Sequence, residues 1–415
     1  MDKSSNFFTG QPVFKQIASL VDRQSVQHLA KTYGTDRYTK KLDTYKHLLA
    51  MLYGVFSHCY SLRELAIGAM VKAQAMEHSG IGFKICRSTL SDANSRRDSA
   101  VFGAVYSMIY DKLGVFLSDS RLRGKLPVKD LHVFDSSTIT LFSNVLKGCD
   151  KEYESGPRQG QRKGGIKVHA LMKVSEGVPH LVRLKAAATS DCKLMDEMKA
   201  LAKGSMVTFD KGYSDHDVLE EFSELGIFYT TRLKANVKYE VEKICVVREA
   251  YLYEPGTIGV VRDEHITLSL SGKKKRHKAR RVEYVDPESG KEFAFLTNNF
   301  KLKAKTIADI YEKRWSIERL FKNFKQNFQL KYFYGDNANA VEIQVWCTLM
   351  AYLLMVLFKA MNKIDRMAFS NMMFITRCVL MEYVQLRMVL AEPESALMKM
   401  VERHNRSHAP PTLFG

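Results

Sequence analysis

The stretch Tyr311-Glu-Lys-Arg-Trp-Ser-Ile-Glu-Arg-Leu-Phe-Lys-Asn-Phe-Lys325 sets one acid, Glu318, among guanidinium and ammonium groups. Tyr311, Arg314, Glu318 and Lys325 stand at offsets 0, 3, 7 and 14 along it. At about 100° per residue they project to about 0°, 300°, 340° and 320°, so the spacing predicts one shared helical face. An acid in that setting suits a site that holds a metal ion and a phosphate together. The plain alternative is a solvated helix laced by Arg–Glu pairs, each worth about 0.2–0.5 kcal/mol. The upstream sequence decides between them.

Two acids upstream sit at the ends of expected strands. His132-Val-Phe-Asp135 ends on Asp135, followed by Ser136, Ser137 and Thr138. Ser205-Met-Val-Thr-Phe-Asp210 ends on Asp210, followed by Lys211, Gly212 and Tyr213. Active sites of α/β sheets gather at the carboxyl ends of strands. Alone, Asp135 also reads as a helix or turn cap, and Asp210-Lys-Gly as an ordinary strand exit. Together with Glu318 they suit phosphodiester chemistry, in which two divalent ions about 3.5–4 Å apart activate the attacking oxygen and stabilise the leaving one. Mg²⁺ is hard and takes few protein ligands, mostly carboxylates. Arg314, Arg319 and Lys325 would hold DNA phosphates and keep the acids ionised.

Around these blocks the texture changes along the chain. Residues 1 to about 125 read as helical, with Phe14, Ile17, Leu20 and Val21 and then His47, Leu48, Met51, Leu52 and Val55 at helical spacing. Ser61-Leu-Arg-Glu64 is a capping-box pattern. Strands then alternate with helices: Gly165–Met172, Pro179–Leu184 and Phe228–Arg232 read as strands, Leu194–Ala202 and Asp217–Leu225 as helices. Residues 236–292 read as β-rich and carry the basic run Ser271–Arg281, which is either a solvated hairpin loop or a phosphate-contacting arm. Phe293–Thr297 resumes the strand pattern, and Ala304 to about Lys331 reads as one basic helical segment.

Composition bounds the rest. The 415 residues imply two or three domains. A net charge of +18 favours a polyanionic partner, nucleic acid first. The seven scattered cysteines form no C-x-x-C pair and read as reduced thiols. The first residues show no apolar signal core. The uncharged apolar run Ile343–Phe358 is short for a membrane span and reads as a buried helix. No Gly-Lys-Ser/Thr phosphate-cradling loop is present, so no nucleotide cofactor is expected. These features predict a cytoplasmic, nucleoid-associated protein.

The chain resembles the DDE insertion-sequence transposases defined by a Y-x2-R-x3-E-x6-K signature. Tyr311, Arg314, Glu318 and Lys325 match it at every spacing, and the Asp135 block, Lys167-Val-His169, the Asp210 block, Phe228–Lys234 and Phe295–Asn299 agree in order. The resemblance covers roughly residues 125–360. It implies an RNase H-like mixed sheet, with Asp135, Asp210 and Glu318 as the catalytic triad holding two Mg²⁺ (or Mn²⁺) ions. Tyr311, Arg314 and Lys325 would contact DNA, with Arg319, Arg232 and Lys211 as further DNA-binding candidates. The implied layout is a helical DNA-end-binding domain over 1–125, a catalytic core over 126–235 and 293–360, a β-rich insertion over 236–292 and a helical C-terminal region over 361–415, a candidate for dimerisation. The implied reaction is cut-and-paste transposition on inverted-repeat ends and target DNA, by a homodimer on DNA. In this group the insertion goes with a hairpin intermediate and a flipped base. Tyr239, Tyr251, Tyr253 and Tyr284 are the aromatic candidates to stack it, because neither tryptophan lies in the insertion. A metal-dependent nuclease or resolvase, or a non-catalytic DNA-binding relative, remain the alternatives.

Overall fold

The computed structural model describes residues 7–117, 128, 130–140, 150–152, 162–186, 191–247, 259–269, 276–328, 330 and 332–407. They fall into two compact units: residues up to Leu117 with those from Lys322 onward, and the residues between, to Phe321.

The first unit is helical. It holds α1 (Val13–Ala18), α2 (Arg23–Thr32), α3 (Thr44–Phe56), α4 (Leu62–Val71), α5 (Ala73–His78), α6 (Arg87–Arg96) and α7 (Ala100–Leu113), and later in the chain α11 (Ala338–Met361), α12 (Phe369–Cys378), α13 (Leu386–Ala391) and α14 (Pro393–Ser407). Short polar side chains start several of these helices. Asp22 accepts from the Ser25 N–H at 3.1 Å, Asp43 from Lys46 at 2.8 Å, Ser61 from Glu64 at 3.2 Å and Asn337 from Ala340 at 2.9 Å. Each such cap is worth about 1 kcal/mol. Nearly every residue of α3 is buried, and so is most of the apolar run Ile343–Phe358 in α11. By length and composition α11 could cross a membrane, yet 83% of its most apolar window is buried inside the protein. Gly103 lets α7 approach α11 closely, since a Cβ there would meet the Trp346 ring at 2.9 Å.

The second unit is built on one ten-stranded mixed sheet. Its strands are β1 (Leu131–Thr140), β2 (Asp150–Glu152), β3 (Arg162–Lys173), β4 (Pro179–Ala186), β5 (Met206–Phe209), β6 (Phe228–Arg232), β7 (Tyr239–Val247), β8 (Val260–Ser269), β9 (Arg276–Val285) and β10 (Glu292–Thr297). The order is β2-β3-β1-β5-β6-β10-β9-β8-β7, with β4 also on β3. Only β1–β5 and β5–β6 pair in parallel. A parallel pair needs a crossover, and α8 (His216–Leu225) supplies the one between β5 and β6. The sheet is buried on both faces. Phe134, Val207, Phe209 and Tyr229 meet Leu219 and Phe222 of α8 on one face. Leu131, Met206 and Phe295 meet Ile307, Ile310 and Tyr311 of α9 (Ala304–Glu312) on the other. α10 (Trp315–Asn327) follows α9.

Four sequence expectations change. First, β1 does not end at Asp135: its antiparallel partner β3 keeps it extended to Thr140, opposite Gly165. What ends beside Asp135 is the parallel pairing with β5. Second, the Ala304–Lys331 segment is two helices. Around Lys313 and Arg314 the bonds tighten to i→i+3, with Arg314 N–H on Tyr311 at 3.0 Å and Ser316 N–H on Lys313 at 2.9 Å. Third, β7, β8 and β9 extend the core sheet edge to edge, because β10 pairs with both β6 and β9. In this context the described part of the basic run, Arg276–Arg281, is strand β9. Arg280 is buried and donates to Asp263 at 2.8 and 2.7 Å and to the carbonyls of Asn299 and Leu302 at 3.1 and 2.6 Å. Residues 271–275 lie outside the described residues, as do Tyr251 and Tyr253. Fourth, the segment expected as a helix at Leu194–Ala202 winds as a 3-10 helix over Asp191–Ala200.

Candidate active site

The register of the two parallel strands brings the first two acids together. Pairing runs Leu131 with Met206, His132 with Val207, Val133 with Thr208 and Phe134 with Phe209. The next step sets Asp135 beside Asp210, at the carboxyl end of the parallel ladder, on strands spaced about 4.8 Å apart. Both positions are anchored by apolar neighbours. Phe134 packs against Tyr213 (centroids 5.0 Å apart) and stacks on His169 (6.3 Å), and the Thr231 hydroxyl donates to the Phe209 carbonyl at 3.0 Å.

The third acid arrives from the α9 face of the sheet, the face to which strand alternation also turns Asp135 and Asp210. Ile307, Ile310 and Tyr311 bury α9, and the tight turn after Glu312 swings Arg314 and Glu318 toward the strand ends. Arg314 Nη1 donates to Glu318 Oε1 at 2.6 Å and to Asp135 Oδ2 at 3.4 Å. Arg232, at the end of β6, lies 3.4 Å from Asp210 Oδ1. The Tyr311 ring is 4% exposed and lies beneath both guanidinium groups, 5.6 Å from Arg314 and 6.0 Å from Arg232. Arginine over an aromatic face is worth about 0.5–2 kcal/mol. Asp135, Asp210, Glu318, Arg232, Arg314 and Tyr311 thus form one cluster at one sheet edge.

The environments of the two aspartates differ. Burial, with Glu318 and Asp210 adding like charge, pushes the Asp135 carboxyl up to about 6, although the Ser136 N–H (2.8 Å) and Arg314 oppose this. Burial also raises Asp210, but the Gly212 N–H at 3.1 Å and Arg232 outweigh it and hold the carboxyl below its usual range.

The other DNA-binding candidates are exposed residues, and among the described residues no side-chain contact joins them to the three carboxylates. Lys211 is exposed on the turn after Asp210, and Arg319 is exposed on α10. Lys325 is exposed further along α10, in the part of the chain that belongs to the helical unit. Among the candidate base-stacking residues, Tyr239 lies under Arg281 at 5.3 Å and Tyr284 packs near Phe295. Sequence reasoning missed Trp315, which is 58% exposed with Arg314 5.6 Å over its ring. On a continuous helix a neighbour at i+1 points away from Arg314. The turn at Lys313 and Arg314 removes that constraint, and no glycine or proline in the sequence signals it.

Among the described residues no three His, Cys, Asp or Glu side chains converge closely enough to enclose a metal. Arg314 instead joins Glu318 to Asp135. The donors are all carboxylate oxygens, which suit Mg²⁺ and Mn²⁺. The ionised form of Asp135, disfavoured here by burial and like charge, is the form a nearby cation stabilises. The residues fit a hard divalent cation on these two grounds.

Comparison with known proteins agrees with the geometry. The family model described as a transposase DDE domain matches residues 127–354, a span that contains all three acids. The chain belongs to the DDE transposase family. Its relatives include transposase y4zB of Sinorhizobium fredii, 28% identical over 70% of this chain and 76% of that protein. Others are a transposase for insertion sequence element IS5377 of Geobacillus stearothermophilus (26%, over 60% of this chain and 62% of that protein) and one for element IS4SA of Synechocystis (24%, 65% and 71%). A domain family of unknown function matches residues 9–82. The protein is therefore a DNA-cleaving transposase, of a family that uses divalent metal ions and acts on DNA.

Proposed function

We propose that the transposase carries out cut-and-paste transposition with Asp135, Asp210 and Glu318 as its catalytic triad. The observation that carries this reading is the register step from Phe134–Phe209 to Asp135–Asp210, with Glu318 tied to Asp135 through Arg314. The strand sequence β4-β3-β1-β5-β6, antiparallel up to β1 and parallel after it, supports an RNase H-like core. The spacing of Tyr311, Arg314, Glu318 and Lys325 supports the YREK hairpin-forming group.

Under this reading the three carboxylates hold two Mg²⁺ or Mn²⁺ ions. When bound, the ions supply Lewis-acid activation of the attacking oxygen and charge stabilisation of the leaving one. Arg314 and Arg232 stand beside the acids and hold the non-bridging phosphate oxygens of the strand being cut. The Tyr311 ring fixes both guanidinium groups in place. Arg319, Lys211 and Lys325 contact the backbone on either side. Water opens the phosphodiester at the element's end, releasing a 3′-hydroxyl that attacks the target strand in line. A homodimer holds the two ends together in the cytoplasm, at the nucleoid. The N-terminal helices (1–125) bind the ends, residues 126–235 and 293–360 cut, 236–292 form the insertion, and 361–415 contribute to pairing of subunits.

The test is end cleavage and strand transfer with Glu318→Gln. Loss of both reactions with end binding within about threefold of wild type is expected; cleavage at the wild-type rate would remove Glu318 from the site. Pre-cleaved ends separate this enzyme from a plain nuclease, since a nuclease releases fragments without joining them.

A further inference from the structure

The helical unit carries a cationic groove remote in sequence from the acids. It holds about 610 Å³ between the α2–α3 loop, Tyr33–Leu42, and the segment that runs from Phe83 along α6 to Asp98. Arg37, Lys40 and Lys41 line it from the loop, and Lys84 and Arg96 from the other side. Arg37, Lys40, Lys41 and Lys84 are exposed, and none has a carboxylate within ion-pairing distance among the described residues. Two acids also line the groove: Asp92 pairs with Arg96 within the lining, which leaves Arg37, Lys40, Lys41 and Lys84 as its unpaired cations, and Asp98 accepts from the Ala100 N–H at 2.9 Å.

The loop is held rigidly from beneath, and its one acid faces inward. Asp36 accepts from the Thr44 N–H and hydroxyl, both at 2.7 Å, and from Arg97 at 3.5 Å. The Thr35 and Thr44 hydroxyls meet at 2.8 Å. With Asp36 consumed in this way, the outer surface of the loop presents only positive charge. Tyr38, two residues after Asp36, stands at φ +63°, a left-handed conformation that non-glycine residues seldom adopt, and is 95% exposed. Tyr33 beside it is 41% exposed. An aromatic ring kept in water on a strained residue costs stability twice, and such outliers persist where they serve a function. Cys86 starts α6 without a side-chain cap, so the first amides of that helix add partial positive charge at the groove.

We propose that this groove docks the phosphodiester backbone of duplex DNA, with Tyr38 laid against a deoxyribose of the bound strand. Unpaired cations interleaved with exposed aromatics are the chemistry that holds nucleic acid: ammonium and guanidinium groups take phosphates, and a tyrosine ring takes a base or sugar face. The proposal rests on the transposase reading and adds where in the helical unit DNA is gripped.

The test is fluorescence anisotropy of the full-length protein on two fluorescein-labelled duplexes, one carrying the element's terminal sequence and one scrambled, across a salt series. The double variant Lys40→Gln/Lys41→Gln is expected to flatten the log–log salt slope by about two units. Tyr38→Ala is expected to weaken binding about five- to tenfold with the slope unchanged, and Tyr38→Phe to restore it. These side chains are exposed, so circular dichroism should match wild type; a second double variant, Lys40→Ala/Lys41→Ala, guards against a local folding defect. Wild-type affinity and slope in both double variants, or wild-type affinity in Tyr38→Ala, would overturn the groove. If that result accompanies loss of cleavage in Asp210→Asn, the catalytic reading stands and the groove alone falls. If the wild-type protein binds neither duplex, both fall.

Discussion

Arg314 Nη1 lies 2.6 Å from Oε1 of Glu318 and 3.4 Å from Oδ2 of Asp135, so one guanidinium joins two acids carried by different elements. A cation in that position does in part what a divalent ion would do, neutralising carboxylates that repel one another. It also competes with such an ion. Removing it by Arg314→Ala is expected to tighten Mn²⁺ binding to the DNA-free protein about tenfold, from the Coulomb repulsion of nearby like charges at intermediate dielectric. The same variant should lose end cleavage. Titration calorimetry with Mn²⁺ alone checks the first point, and unchanged or weaker metal binding counts against competition.

Asp135 is the acid most at odds with its surroundings. It is partly buried beside two other carboxylates, and its carboxyl is pushed up to about 6. Asp135→Asn keeps the shape and removes the like charge. In the metal-free protein at neutral pH this variant is expected to be more stable by about 1–3 kcal/mol while cleavage disappears, the usual exchange of stability for function at a charged site. Thermal unfolding in EDTA measures it; a lower melting temperature would show that the Ser136 and Arg314 contacts outweigh the repulsion.

The grouping of the three acids was legible only in part: the parallel ladder stops at Phe134 and Phe209, just before Asp135 and Asp210, although β1 itself runs on to Thr140, and Glu318 lies in the first turn of a basic helix. The break that aims Glu318 was not legible, since the turn at Lys313 and Arg314 is made by backbone bonds alone, with neither glycine nor proline to mark it. The same limit applied to Arg280. By residue type it matches exposed Arg276 four positions earlier, and only the register of β8 against β9 turns it onto Asp263 and into the interior. The wide sheet was hidden for a similar reason: alternation marks β7, β8 and β9 as strands but does not say which edge they extend.

Arg280 should therefore behave as a structural residue. Its side chain is paired to Asp263 through two nitrogens with both groups nearly fully buried. Asp263→Ala strands a buried guanidinium and is expected to cost about 3–5 kcal/mol. Arg280→Met/Asp263→Leu, which removes both charges and keeps the volume, should recover much of that loss. Neither change should alter the salt slope of DNA binding. A slope lowered by about one unit in the double variant would return Arg280 to the set of phosphate contacts.

The helical unit has its own pH dependence. His47 is fully buried, its Nε2 lies 2.8 Å from Asn94 Oδ1, and its ring meets Phe102 edge-on at 5.4 Å. Burial, reinforced by the nearby Arg97, lowers it to about 3. The unfolded chain then binds a proton at this site below about pH 6.5 while the folded chain does not, so unfolding is favoured as pH falls. The stabilisation from keeping His47 neutral is complete above about pH 6.5 and is lost by up to about 1.4 kcal/mol per pH unit on the way down toward pH 3. Buried His132 and half-buried His180 are shifted the same way, so the whole-protein slope exceeds the share of His47. His47→Gln keeps a donor for Asn94 and carries no titrating group. Urea midpoints at pH 7 and pH 5 should differ less in that variant than in wild type. Equal differences would mean that water reaches His47 or that its burial is relieved before the chain unfolds.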